Sequence, residues 1–330
     1  MSKTINWGII GCGNVTEKKS GPAFNKVKNA KLNAVMRRDT SKAKDYAQRH
    51  GVPHFFSDAS DLIHSPYVDA VYVATPPSSH AEYAIMAMKA GKPVYVEKPM
   101  AASYADCLKM LKVSEETGSP IFVAYYRRTL PGFLKAKELI DEGTIGQVLA
   151  VNIRLSRPMN QDEQEQTWRV DKDIAGGGIF FDLASHQLDY LDFLFGPIVK
   201  ANGAATNNNS YYDVEDTVVA SFQFENGVIG SGLWSFNTHE DAARDTLEII
   251  GDKGSILCGS FSHEPIKLIT DQGVIEFPYL NPENIQYNLI KQVNEAILNK
   301  NDCVSTGISA ARTNKVLEEI VYREQLSVIS

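Results

Sequence analysis

Short apolar runs alternate with helix-patterned segments through residue 124, and this alternation restricts the chain's fold more than any other feature. Runs at 5–10, 31–36, 52–56, 70–74, 94–96 and 121–124 read as strands, and those at 70–74, 94–96 and 121–124 are continuously apolar and rich in β-branched or aromatic residues, the pattern of strands buried on both faces. Segments 41–50, 58–64, 80–90 and 104–117 between them carry helical periodicity. Strands separated by helices pair in parallel through crossovers, so this part predicts a doubly wound parallel sheet. In such sheets chemistry collects where strands end, and those ends carry the informative residues.

The first strand runs directly into Gly11-Cys12-Gly13-Asn14-Val15. Two glycines there permit a tight turn and let a pyrophosphate approach the backbone. The third position of that dinucleotide fingerprint is Thr16 rather than Gly or Ala. The second strand ends in Arg37-Arg38-Asp39. Guanidinium groups suit a ribose 2′-phosphate and favour NADP, with Asp39 pairing with Arg38; the competing reading makes Asp39 the ribose ligand and the cofactor NAD. Thr75-Pro76-Pro77 ends the fourth strand in a loop able to cover a nicotinamide ribose, with His80 a first-turn helix residue beside it. Val94-Tyr95-Val96 then stops at Glu97-Lys98-Pro99, which delivers a carboxylate and an amine to the same edge. Glu97 orients Lys98 or bonds the cofactor. Tyr125-Tyr126-Arg127-Arg128 leaves the last strand.

Beyond residue 148 the texture changes to strands at 149–155, 217–224, 228–236, 246–250, 255–257, 266–270 and 274–277. Asn226-Gly227 and Gln272-Gly273 read as hairpin turns. Helices at 132–142, 283–299 and 309–322 complete this part. The expected fold class is α/β: an N-terminal Rossmann domain over 1–124, then an α+β domain over 125–330 with a large open, mostly antiparallel sheet. The C-terminal helices have the option of packing back on the first domain, and the open sheet reads as a surface for a homodimer or homotetramer. Within this part, Gly176-Gly177-Gly178 precedes an apolar helix on which Asp182 and His186 share a face at i, i+4. A carboxylate beside an imidazole suits general acid–base work. No ligand spacing for a metal accompanies the pair.

These motifs, in this order, resemble the Gfo/Idh/MocA oxidoreductases, the family of glucose–fructose oxidoreductase and inositol dehydrogenase, over essentially the whole chain. The resemblance implies a catalytic group of Lys98, Asp182 and His186. It implies cofactor contacts from Gly11, Cys12, Gly13, Asn14, Val15, Arg37, Arg38, Thr75, Pro76, His80, Glu97 and Lys98. Arg38 stands where NAD-using members carry an acidic residue, which resembles NADP-using members. Substrate contacts are expected from Tyr125, Arg127, Trp168, Arg169, Asp182, His186 and Tyr287, with Asp189 a further candidate.

The implied reaction is hydride transfer between nicotinamide C4 and a secondary alcohol or ketone carbon of a sugar, cyclitol or related diol. His186, oriented by Asp182, and Lys98 handle the hydroxyl proton. The alternatives are a non-catalytic NADP-binding regulator and an NAD-dependent dehydrogenase of a phospho- or amino-sugar. A net charge of −7 over 330 residues argues against nucleic-acid and anionic-membrane partners. Four scattered cysteines, no signal-peptide core and no bilayer-length apolar run point to a reduced, cytoplasmic protein.

Overall fold

The computed structural model describes residues 4–160, 163, 165, 167–208 and 211–327. They form two compact units, Met1–Tyr126 with Pro282–Ala311, and Arg127–Asn281 with Arg312–Ser330.

The first unit is built on a six-stranded parallel sheet: β1 (Ile5–Ile10), β2 (Ala30–Met36), β3 (His54–Phe56), β4 (Ala70–Val73), β5 (Val94–Val96) and β6 (Ile121–Val123), in the order β3-β2-β1-β4-β5-β6. The apolar runs of the central strands are explained by burial on both faces. Trp7, Ile9, Tyr72, Tyr95 and Phe122 point into one core cluster, whereas Ile10, Val71, Val73, Val94, Val96 and Val123 point into another. The strand order reverses between β1 and β4, the crevice where open α/β sheets bind ligands. The connections begin with two short helices, α1 (Asn14–Lys18) and α2 (Gly21–Lys26). They are followed by α3 (Thr40–His50), α4 (Ala59–His64), α5 (His80–Lys89) and α6 (Tyr104–Thr117). The C-terminal part of the chain adds to this core. Leu289, Ile290, Val293 and Ala296 bury into the Trp7 cluster, and Trp7 Nε1 donates to Asn294 Oδ1 at 3.2 Å.

In the second unit, α7 (Pro131–Asp141) leads to an eight-stranded sheet. Its strands are β7 (Val148–Ser156), β8 (Ile198–Thr206), β9 (Thr217–Phe224), β10 (Ile229–Ser235), β11 (Arg244–Gly251), β12 (Gly254–Cys258), β13 (Ile266–Thr270) and β14 (Gly273–Phe277). The order is β14-β13-β12-β11-β7-β10-β9-β8, antiparallel except for the parallel pair β7–β10. The expected fold class therefore holds. Gly227 and Gly273, at φ of 92° and 114°, make the two anticipated hairpin turns. β8 escaped the sequence reading because its residues, Ile-Val-Lys-Ala-Asn-Gly-Ala-Ala-Thr, are mostly small or polar.

A one-turn helix α8 (Lys172–Ala175) ends at Gly176, and α9 (Gly178–Phe195) packs its apolar side on the sheet. Phe180 meets Trp234 edge-to-face at 5.1 Å, and Trp234 Nε1 donates to Gln187 Oε1 at 2.6 Å. The chain closes with α10 (Tyr287–Asn299) and α11 (Gly307–Ser327). Among the described residues no helix is long and apolar enough to cross a membrane.

Candidate functional site

The first unit supplies a nucleotide-binding edge. Gly11 sits at φ +89°, and a Cβ there would lie 2.7 Å from Thr75 Cγ2 and 2.9 Å from Thr75 N, so only glycine fits. Its N–H, 2.9 Å from the Met36 carbonyl, and that of Cys12, at 3.2 Å, tie the turn to the end of β2. At Gly13 a Cβ would meet nothing nearer than 3.8 Å, which leaves the backbone open to close approach by a ligand. Thr16 replaces the third fingerprint glycine with a local bond: its hydroxyl accepts from Gly13 N at 3.0 Å and lies 2.8 Å from Gly13 O. This unit thus has the open glycine turn a dinucleotide pyrophosphate requires.

Several expected cofactor contacts have other work. The Cys12 side chain is wholly buried, and burial pushes its thiol up to about 11, so only its backbone faces the turn. Arg37 Nη1 donates to the Cys12 carbonyl at 3.3 Å and braces the turn, while Arg38 is exposed. Asp39 makes no ion pair with Arg38. Its carboxylate caps α3, accepting from Ser41 N at 3.0 Å and Lys42 N at 3.2 Å, and the Ser41 bonds hold its pKa below the usual carboxylate value. His80 is sealed: Nε2 lies 2.7 Å from the Thr75 carbonyl and Nδ1 3.0 Å from the Pro99 carbonyl, and burial lowers its pKa. Thr75 and Pro76 stay half-exposed at the end of β4, with the Thr75 hydroxyl accepting from Ser79 Oγ at 2.8 Å, and Asn14 and Val15 open α1.

Glu97 was expected to orient Lys98 or to bond the cofactor, and it bonds the Lys98 backbone. Its carboxylate is buried and accepts from Tyr72 OH at 2.5 Å, Gln286 Nε2 at 2.6 Å and the Lys98 N–H at 3.1 Å. Tyr72 OH also lies 3.1 Å from Ser20 Oγ, between α1 and α2, and Tyr95 OH donates to Gln286 Oε1 at 2.9 Å. Glu97 thus ties the turn that carries Lys98 to Tyr72 and Gln286. Lys98 is half-buried on that turn, and its bond to Pro99 is cis. Tyr125, expected at the substrate, is wholly buried in this unit's core, and Tyr287 packs against the Trp7 cluster.

The second unit gathers the other expected substrate residues around α9. Asp182 is half-buried and His186 buried on that helix. Arg169 Nε lies 4.0 Å from Asp182 Oδ2, and its guanidinium covers the Trp168 ring at 4.7 Å. Arg127 is buried; Nε donates to the Ser260 carbonyl at 2.9 Å, and the guanidinium stacks 4.4 Å from the Phe261 ring. Phe261 meets the His186 ring edge-on at 6.0 Å. The sequence reading missed Phe261, whose Gly-Ser-Phe-Ser turn carries no charge pattern and follows an ordinary strand.

Asp189 is a correction. It forms a buried bidentate pair with Arg128, with Nη2 to Oδ1 at 2.7 Å and Nε to Oδ2 at 2.8 Å, so it is not offered to a substrate. Burial pushes its carboxyl up to about 6 against the pull of Arg128. Asp192 joins this cluster through Arg312 Nη2 at 2.6 Å. Among the described residues no three His, Cys, Asp or Glu side chains are placed to hold a metal.

Comparison with known proteins gives two family matches: an oxidoreductase family with an NAD-binding Rossmann fold over residues 5–125, and the GFO/IDH/MocA C-terminal domain over residues 133–257. The chain is 42% identical over 312 residues to oxidoreductase P35 of Formosa agariphila, covering 92% of this chain and 94% of that protein. It is 26% identical over 308 residues to 1,5-anhydro-D-fructose reductase of Ensifer adhaerens, covering 91% and 90%. A solved levoglucosan dehydrogenase, in complex with NADH and levoglucosan, superposes with a TM-score of 0.89 at 24% identity, covering 99% of this chain and 98% of that one.

Proposed function

The chain belongs to the Gfo/Idh/MocA oxidoreductase family, and we propose that it is an NADP-preferring dehydrogenase of a sugar, cyclitol or related diol. The observation that carries this reading is Lys98, held on the turn out of β5 by a buried Glu97 at the ligand edge of the parallel sheet. The relatives named for anhydrofructose and levoglucosan support the substrate class.

In this reading Gly11, Gly13, Asn14 and Val15 hold the pyrophosphate through backbone groups, with Thr75 and Pro76 beside the ribose. Arg38 takes the 2′-phosphate, and Arg37 braces the turn beneath. A bound nicotinamide nucleotide supplies the hydride acceptor or donor. His186 takes the substrate hydroxyl proton, with Asp182 orienting its ring. Lys98 donates a hydrogen bond to the same oxygen and stabilises negative charge there. Arg127 and Arg169 offer fixed donors to the remaining hydroxyls. The open face of the eight-stranded sheet associates copies of the chain into a homodimer or homotetramer. Incubation with a panel of sugars and cyclitols, with NADP or NAD, tests the reading through nicotinamide absorbance. Reduction of NADP by at least one cyclic polyol is expected; NADP binding with no absorbance change across the panel points instead to a sensor.

A further inference from the structure

Asp245, the second residue of β11, has no role in the mechanism above, yet its carboxylate is unusually occupied. Oδ1 accepts from the backbone N–H of Ser260 at 2.9 Å, and Oδ2 accepts from those of Phe261 at 2.6 Å and Ser262 at 2.7 Å. Register explains the meeting. β11 and β12 are antiparallel with Leu247 opposite Cys258, so two residues further along Asp245 stands opposite Ser260. Gly259 lets the chain fold over the carboxylate, since a Cβ there would lie 1.9 Å from Ser262 Oγ and 3.1 Å from Asp245 Oδ2.

The turn so held touches both candidate functional groups of this unit. The Ser260 carbonyl accepts from Arg127 Nε at 2.9 Å, and Ser260 Oγ accepts at 2.8 Å from Nε2 of Gln187, the neighbour of His186. The Phe261 ring carries the Arg127 guanidinium on its face at 4.4 Å and meets His186 at its edge at 6.0 Å. A carboxylate accepting three successive N–H groups is a strong local clamp, since bonds to a charged acceptor are about twice as strong as neutral ones.

We infer that Asp245 is a positioning residue for substrate recognition: it fixes the 259–262 turn, and through Ser260 and Phe261 that turn sets the orientations of Arg127 and His186. The inference rests on the reading that Arg127 and His186 face the substrate. Asp245→Asn is the natural test, because it keeps the shape and one acceptor oxygen but turns an N–H₂ toward backbone N–H groups. Phe261→Leu keeps the clamp and removes the ring.

In the full-length protein, D245N should speed amide hydrogen exchange at 260–262. It should raise KM for the polyol about 10-fold or more, the scale of losing one or two charge-assisted bonds. It should also shift the His186 limb of the pH–rate profile, with nicotinamide affinity unchanged. F261L should reproduce the kinetic changes without the faster exchange, and it keeps the test available if D245N does not fold. Faster exchange in D245N with unaltered KM and pH profile overturns the inference, as does an F261L enzyme that behaves as wild type. His186→Asn separates the two readings: wild-type turnover there removes the role of His186 itself, whatever D245N does.

Discussion

Arg37 and Arg38 were both expected to face the cofactor, with Arg38 at the family's acidic position, and single bonds separate them in the structure. Arg37 is committed to the Cys12 carbonyl, whereas Arg38 is exposed at the end of β2. Replacing Arg38 by Ala should weaken NADP about 10- to 100-fold, the worth of a charge-assisted bond, and leave NAD nearly unchanged in fluorescence titrations. Equal losses for both would remove Arg38 from the 2′-phosphate. Asp189 makes a second prediction. Its folded-state pKa of about 6 lies above the ordinary carboxylate value of 3.8, so the folded chain holds this proton more tightly than the unfolded chain. Its favourable contribution is full below about pH 4 and is lost as pH rises through about 6. Wild type should therefore lose stability relative to Asp189→Asn over that window, read from urea midpoints; a pH-independent difference contradicts it. Identity and spacing made Asp189 look like a polar substrate contact, because the sequence does not reveal that Arg128 closes on it from 61 residues away.

At the scale of elements, the central parallel strands β4, β5 and β6 were legible because both their faces are buried and their apolar runs are unbroken. The ends of β1, β4 and β5 were legible because glycine and proline mark them. The short α1 and α2 were not, since Gly21-Pro22 interrupt the stretch 14–26 and leave no continuous apolar period. Nor was the Glu97 network. It joins Tyr72 and Tyr95, whose hydroxyls sit on residues that read simply as apolar strand, to Gln286 at the start of α10. The glycine turn is testable as a unit. Gly11→Ala places a Cβ against Thr75 at a left-handed φ, a conformation that costs about 1–3 kcal/mol even before the clash. Nicotinamide binding should weaken at least about 10-fold as the turn shifts, by calorimetry; unchanged affinity would show that the turn does not hold the cofactor.

For the molecule as a whole, the outer face of the eight-stranded sheet carries a row that the strand register strings together: Val274, Ile269, Ser255, Ile250, Ala150, Ile229, Gln223 and Lys200. Val274 and Ile229 in this row are 60% and 57% exposed. Ile229→Lys should lower the sedimentation coefficient to that of a smaller species if this face joins copies, and an unchanged coefficient would move the interface elsewhere. Family membership, both sheets and the strand-end motifs were readable from the chain; the partners of each side chain were not, because they come from segments far apart in sequence. The account stands or falls on Lys98 as the group that handles the substrate oxygen. Single-turnover hydride transfer from a polyol that wild type oxidises, measured in Lys98→Met with saturating nucleotide, tests this most directly. A loss of about 10²–10⁴-fold with nucleotide affinity intact is the predicted result, and transfer at near the wild-type rate would contradict it.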